Sequence, residues 1–245
     1  MIVLSVNFST MNKTKLPTEL TNLKSSLFIT GTDTGVGKSI ITAFLALCFL
    51  EQGKRVAISK PLQTGHPRDT DFLSTLTGGK IPIFNTYTFE LPSAPSVASE
   101  YENKQIDISK IIFDIKELEK KYDLVIVEGI GGIAVPIKDT YLVSDLIRDL
   151  DCKTIIVARP SLGTINHTVL TIDFAKHNGI NLLGFITSGY DESVNDPVIE
   201  TAPTVISKIT QINCLFRFPV LPEVSGEEIS KIVRSCIMLE DKIVA

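Results

Sequence analysis

Residues Gly31 to Ser39 read Gly-Thr-Asp-Thr-Gly-Val-Gly-Lys-Ser, a combination able to hold phosphate. In such a turn successive backbone N–H groups curl around phosphate oxygens, and the helix that follows points its positive N-terminal end at them. Lys38 would reach the terminal phosphates, and the Ser39 hydroxyl would sit on a magnesium ion. The usual spacing is glycine, four residues, then glycine-lysine-serine or glycine-lysine-threonine. Here position 32 is Thr32 and the first glycine stands one place earlier, at Gly31. An ordinary helix-capping turn would account for the glycines. It gives no reason for lysine and serine in the first helical turn.

Two other charged residues sit where an apolar run stops. Lys60 closes the run Arg55 to Ser59 and precedes Pro61, which bars it from continuing into a helix. An ammonium there could hold a negatively charged reacting group and offset charge that spreads during phosphoryl transfer; the bland alternative is a solvated surface lysine. Glu128 closes Leu124-Val125-Ile126-Val127, and Gly129, Gly131 and Gly132 follow it. A carboxylate buried there is costly unless paired, and a metal held by phosphates would pair it; a glutamate capping a plain turn is the alternative. Asp69 and Asp71 come later, each able to be a helix cap or a ligand, and Asp71 opens the apolar pattern Phe72, Leu73, Leu76. The three histidines, His66, His167 and His177, form no site by spacing, and no Ser-His-Asp order or metal-spaced His/Cys cluster is visible.

The elements that must position these residues follow from the apolar pattern. Strand-length runs alternate with segments of helical period, which signals βαβ units and an α/β fold: a doubly wound, mostly parallel sheet with helices on both faces. Strands are expected at Leu27–Thr30, Arg55–Ser59, Leu124–Glu128, Thr154–Ala158, Leu182–Thr187 and Leu215–Phe218. Helices are expected at Lys38–Gln52, Asp71–Thr77, Ser96–Tyr101, Ser109–Lys121, Leu142–Leu150, Thr164–His177, Asp196–Ile209 and Glu227–Met238. The proline-rich stretch Tyr87 to Pro95 reads as a surface loop. In open parallel sheets ligands bind at the carboxyl ends of the strands. The glycine-rich and polar segments after Thr30, Ser59, Val127 and Ala158 all fall on that rim.

Composition narrows the class. The chain has 245 residues, 44% hydrophobic and 21% charged, enough for one large domain with a sheet covered on both faces. A net charge of −4 without a basic tract argues against nucleic acid as a main partner. No apolar stretch approaches the roughly 20 residues that span a bilayer. Four cysteines, Cys48, Cys152, Cys214 and Cys236, are scattered among apolar neighbours, as reduced core thiols of a cytoplasmic protein would be. Residues 1–24, rich in Asn, Thr, Lys and Ser, lack the pattern of a secretory signal. They read as a poorly ordered extension, or as a segment ahead of a start at Met11, with a single domain over 25–245.

From Leu27 to at least Glu223 the chain resembles dethiobiotin synthetase of biotin biosynthesis, a P-loop NTPase-like family. Its phosphate loop reads Gly-Thr-Asp-Thr-x-Val-Gly-Lys-Ser/Thr, with the first glycine displaced as here. Lys60-Pro61 with Thr64-Gly65, Val127-Glu128-Gly129-Ile130-Gly131-Gly132, and Leu162-Gly163-Thr164-Ile165-Asn166-His167 match three further family segments in the same order. Four ordered segments are far more specific than one loop. The resemblance implies an ATP-dependent cyclo-ligase that joins CO2 to 7,8-diaminononanoate, through a carbamate and a carbamic-phosphoric anhydride, releasing ADP and phosphate.

It also implies roles. Lys38 and Lys60 would flank the carbamate and the γ-phosphate, and Gly35, Val36, Gly37, Lys38, Ser39 and Ile40 would wrap the nucleotide phosphates. Ser39, Asp71 and Glu128 would hold magnesium. Gly129, Ile130, Gly131, Ser188, Pro219, Val220, Leu221 and Glu223 would complete the nucleotide site. Thr34, Thr64, Gly131 and Gly132 would meet the substrate, with Gly163, Thr164 and Asn166 holding its carboxylate across a homodimer. Two positions depart from the pattern: Gly35 where many members carry an acidic residue, and Ser188 where many carry Asn. A deviant-Walker regulatory ATPase would need a second lysine at position 33, which is Asp33. A cobyrinate amidation-type synthetase would need a glutamine-hydrolysing domain, for which no length remains.

Overall fold

The structure, a computed structural model, describes residues 25–191, 193–194 and 196–241, together with Pro17, Leu20 and Leu23. The expected extension over 1–24 otherwise lies outside the described residues. Leu20 and Leu23 are buried in the main core, 0% and 2% exposed.

Seven strands form one sheet in the order β11-β10-β9-β1-β6-β2-β4, every pair parallel. They are β1 (Ser25–Gly31), β2 (Val56–Ser59), β4 (Ile83–Phe84), β6 (Leu124–Glu128), β9 (Lys153–Ala158), β10 (Leu182–Tyr190) and β11 (Cys214–Pro219). Strands buried on both faces read as continuous apolar runs rather than as an alternation, as in Leu124-Val125-Ile126-Val127. Successive side chains still part to opposite faces. Leu27, Ile29, Ile126, Ile155 and Val157 enter one core, under α1 (Lys38–Glu51) and α8 (Gly226–Asp241). Phe28, Val125 and Val127 enter the other, under α4 (Ile108–Glu119) and α5 (Val143–Leu150). A third cluster joins Ile156 and Phe185 to Ile172 of α6 (Thr164–His177) and to Ala202 and Ile206 of α7 (Pro197–Thr210). Helix α1 is apolar nearly all round because it is covered nearly all round, with Phe44 stacked on Phe216 at 5.3 Å between centroids.

The parallel fold is as expected, and the differences are local. Short strands β3 (Leu62–Thr64), β5 (Tyr87–Phe89), β7 (Pro136–Lys138) and β8 (Tyr141–Leu142) pair off outside the main sheet. Two or three residues carry no readable period, so neither these nor β4 stood out. Helix α2 (Asp69–Thr77) begins two residues before the expected Asp71, and β10 runs on to Tyr190, which puts Ser188 inside the strand. Helix α3 (Pro95–Tyr101) opens on a proline, whose missing N–H costs nothing in a first turn. Cys48, Cys152 and Cys236 are buried, Cys214 is half-buried, and none is bridged. Burial pushes the Cys152 thiol up to about 12, which leaves it inert. Among the described residues no helix is long and apolar enough to cross a membrane.

Candidate active site

Register brings the chemistry together. Strand β6 lies between β1 and β2, with Glu128 opposite Ile29 and Val127 opposite Ser59. Glu128 thus ends its strand beside the start of the phosphate loop on one side and beside Lys60 on the other. The loop leaves the central strand β1 and enters α1, and Gly37 is that helix's N-cap at φ +97°. A Cβ added there would lie 2.3 Å from Ser188 Oγ, so only glycine passes the end of β10.

The polar centre is tightly wired. Lys60 is 2% exposed and Glu128 1%. The Lys60 ammonium donates to Glu128 Oε1 at 2.9 Å and to the Gly129 carbonyl at 2.9 Å, and pairs with Asp69 at 2.7 Å. Burial alone would strip its charge. The carboxylates of Glu128 and Asp69 outweigh burial, so its pKa is raised and it stays an ammonium. Ser39 Oγ donates to the same Glu128 Oε1 at 2.9 Å. Glu128 Oε2 is buried and has no partner. Lys38 folds back to the Asp33 carbonyl at 2.9 Å. Its pKa falls to about 8 because burial removes its water and Lys60 repels it, against the pull of Glu128, Asp69 and Asp33.

These groups open on a cleft of about 660 Å³. Of the residues expected at the site, Thr34, Gly35, Gly37, Lys38, Ser39, Ile40, Lys60, Thr64, Glu128, Ile130 and Gly131 line it. Val36 instead plugs the core under the loop, 3% exposed, and offers the cleft no side chain. Gly129 contributes its carbonyl to Lys60, and Gly132 sits close against Gly31 and Thr32. Ser188 lies on the far side of Gly37, and the Val220 N–H donates to the Tyr190 carbonyl near it; Ser188, Pro219, Val220, Leu221 and Glu223 do not line the cleft.

One placement differs from expectation. Asp71 is exposed and lines no part of the cleft, whereas Asp69 faces Lys60. Two residues along a helix is a rotation of about 200°, so the two side chains leave it on different sides. Gly163, Thr164 and Asn166 line a second groove of about 630 Å³ between α6 and α7, with Leu162, Leu170 and Ile209. They lie apart from this chain's own cleft, and the expectation for them was a role across a homodimer. Sequence reasoning missed Phe72, Val135, Pro92, Ser93 and Ala94 in the cleft wall. The last three lie within the stretch Tyr87 to Pro95, expected as a surface loop. Its proline at the start of a helix was the readable signal.

A glycine-rich loop with lysine and serine, leading from the central strand of an open parallel sheet into a helix, defines a P-loop-type nucleotide-binding protein. The chain matches the AAA domain family over residues 25–228. It is 35% identical over 226 residues to the ATP-dependent dethiobiotin synthetase of Thermodesulfovibrio yellowstonii, covering 85% of this chain and 94% of that protein. It is 39% identical over 213 residues to that of Aquifex aeolicus, with 85% and 94% covered, and 43% over 162 residues to that of Methanococcus vannielii, with 65% and 77% covered. The septum site-determining protein MinD of Pyrococcus horikoshii, solved with Mg-ADP, shares the fold: TM-score 0.59 at 17% identity, over 91% of this chain and 98% of that one. This chain belongs to the ATP-dependent dethiobiotin synthetase family and is an ATP-dependent ligase of the P-loop class.

Proposed function

We propose that this chain closes the cyclic urea of dethiobiotin from 7,8-diaminononanoate, CO2 and ATP. The observation that carries the reading is a pair of buried lysines, Lys38 and Lys60, close enough to repel each other at the head of one cleft. One amine adds to CO2 and becomes a carbamate. A carbamate oxygen bonds to the γ-phosphorus as the bond to ADP breaks, giving a carbamic-phosphoric anhydride. The second amine then attacks the carbonyl carbon, phosphate leaves, and the ring closes. No covalent protein intermediate is needed, so the protein's share is positioning and charge neutralisation. Lys60 holds the carbamate. Lys38 lets go of Asp33's carbonyl and follows the γ-phosphate. The loop N–H groups of Gly35 to Ile40 cradle the other phosphates, Thr34 and Thr64 border the substrate, and Ser188 with residues 219–223 lies towards the base.

The donor set fits magnesium. Ser39 Oγ and Glu128 converge, and Glu128 Oε2 is a buried oxygen lacking a partner. Magnesium takes one or two carboxylates plus a hydroxyl and phosphates, and needs no all-protein cage. Ser39 and Glu128 would hold it, with Asp69 rather than Asp71 as the nearby acidic residue. Bound there, it would neutralise charge on the nucleotide phosphates.

The second groove supports a homodimer. Leu162 is 86% exposed and Ile209 58%, beside Gly163 to Asn166 at the start of α6. Paired with a second copy, that helix start would hold the substrate carboxylate. A cytoplasmic location fits an enzyme whose Cys152 and Cys214 thiols are unbridged. The test is direct: purified protein, diamine, bicarbonate and ATP, with cyclic urea followed by mass spectrometry. The wild type should make it and a well-folded Lys38→Ala variant should not; equal product from both would overturn the reading.

A further inference from the structure

Arg68 does not line the cleft, yet its guanidinium joins the two segments that do. Immediately after it comes Asp69, the partner of Lys60, and four residues before it is Thr64; both lie in the cleft wall. Nη1 of Arg68 donates to the Gly65 carbonyl at 3.0 Å and to the Phe89 carbonyl at 2.7 Å, and Nη2 is paired with Glu90. Phe89 is the partner of Thr64 in the β3–β5 pair. From Glu90 the chain is fixed again, because Glu102 Oε1 accepts the N–H groups of Glu90 at 2.7 Å and Leu91 at 2.9 Å. It then runs into Pro92, Ser93 and Ala94, the opposite part of the wall.

The two segments touch without slack. A Cβ on Gly65 would lie 2.7 Å from Pro92 Cβ, at a residue already at φ +71°. The Arg68 side chain is only 14% exposed, so its fork works largely out of water. A planar guanidinium satisfies acceptors lying in different directions at fixed spacing. A lysine brings a point charge on a flexible stem and cannot do the same.

We propose that Arg68 is a positioning residue for the diamine. Its fork sets the separation between the wall of Thr64 and Asp69 and the wall of Pro92 to Ala94, and so the shape of the cleft end away from the phosphate loop. The inference rests on the ligase reading above and deepens it. The loop and the start of α1 form the phosphate end, and the partners of the Arg68 guanidinium, Gly65, Phe89 and Glu90, belong to neither. Loss of Arg68 is therefore felt by one substrate and not the other.

The experiment compares wild type, Arg68→Lys and Glu90→Gln. Steady-state KM is measured for the diamine, and calorimetric Kd for the diamine and for a non-hydrolysable ATP analogue. Arg68→Lys should raise diamine KM and Kd about tenfold through misplacement of the wall, with the Kd of the ATP analogue within about twofold of wild type. Glu90, 70% exposed, can be changed without threatening the fold, and Glu90→Gln should give a smaller rise of the same selectivity. It decides the matter if Arg68→Lys does not fold. Unchanged diamine binding in the folded variants, or an equal loss of diamine and ATP analogue, would overturn the proposal. A wild type that binds the diamine but makes no cyclic urea would sink the ligase reading while the diamine Kd still tests Arg68.

Discussion

Lys60 is surrounded by reasons to be charged. Placing an ammonium in a low-dielectric interior is unfavourable unless anions and hydrogen bonds compensate, and Glu128, Asp69 and the Gly129 carbonyl do so together. In the resting protein its charge is therefore committed, ready to be exchanged for an anionic reaction partner. Lys60→Gln keeps the stem and removes the charge. Turnover should fall by roughly a hundredfold or more, as when a donor to a developing anion is deleted, while calorimetry should show nucleotide binding retained; an unchanged rate would return Lys60 to a structural part. Glu128 offers Oε1 to Lys60 and Ser39, while its buried Oε2 has no partner and is the oxygen proposed to meet magnesium. Glu128→Gln should shift the magnesium titration of activity to higher concentration. A titration that overlays the wild type would make this carboxylate purely structural.

The phosphate loop depends on its neighbours as well as on its own residues. Gly37 is held in the left-handed region and lies against Ser188 of β10, so a methyl group there meets both backbone strain and a collision. The strain alone is roughly 1–2 kcal/mol for an L-residue. Gly53, at φ +80° just beyond α1, has open space where its Cβ would go and isolates the strain. Gly37→Ala should weaken nucleotide binding at least tenfold, measured by calorimetry, while circular dichroism shows the fold kept. Gly53→Ala should cost a little thermal stability and leave nucleotide affinity alone. Similar affinities for the two variants would refute the contact with β10 as the determinant.

At the scale of the molecule the cleft has a nucleotide loop, two lysines and an apolar flank, but no anchor for a substrate carboxylate among Gly163 to Asn166. Those residues face the α6–α7 groove, whose exposed Leu162, Leu170 and Ile209 are costly to leave in water. In the proposed homodimer the wild type sediments as a dimer and Leu162→Asp should sediment as a monomer; a monomeric wild type would overturn the proposed dimer. The variant should cut cyclic urea formation while sparing nucleotide binding, because the phosphate loop lies wholly within one chain. A variant that stays dimeric would move the interface elsewhere.

The sequence by itself determined the parallel architecture, the phosphate loop and the end-of-strand placement of Lys60 and Glu128. Those features rest on local facts: apolar runs of strand length, glycines that let a backbone turn, and charges that stop a buried run. What the runs could not show is which strands are neighbours. Only the order β9-β1-β6-β2 makes Lys60 and Glu128 partners, 68 residues apart in the chain. Which of Asp69 and Asp71 faces Lys60 was equally out of reach, because it turns on where α2 begins and how it is rotated. The Pro92 to Ala94 wall and the reach of Arg68 arise from pairing between β3 and β5, each too short to announce itself. Long-range pairing is settled by the packing of whole layers, and no local window of residues contains it.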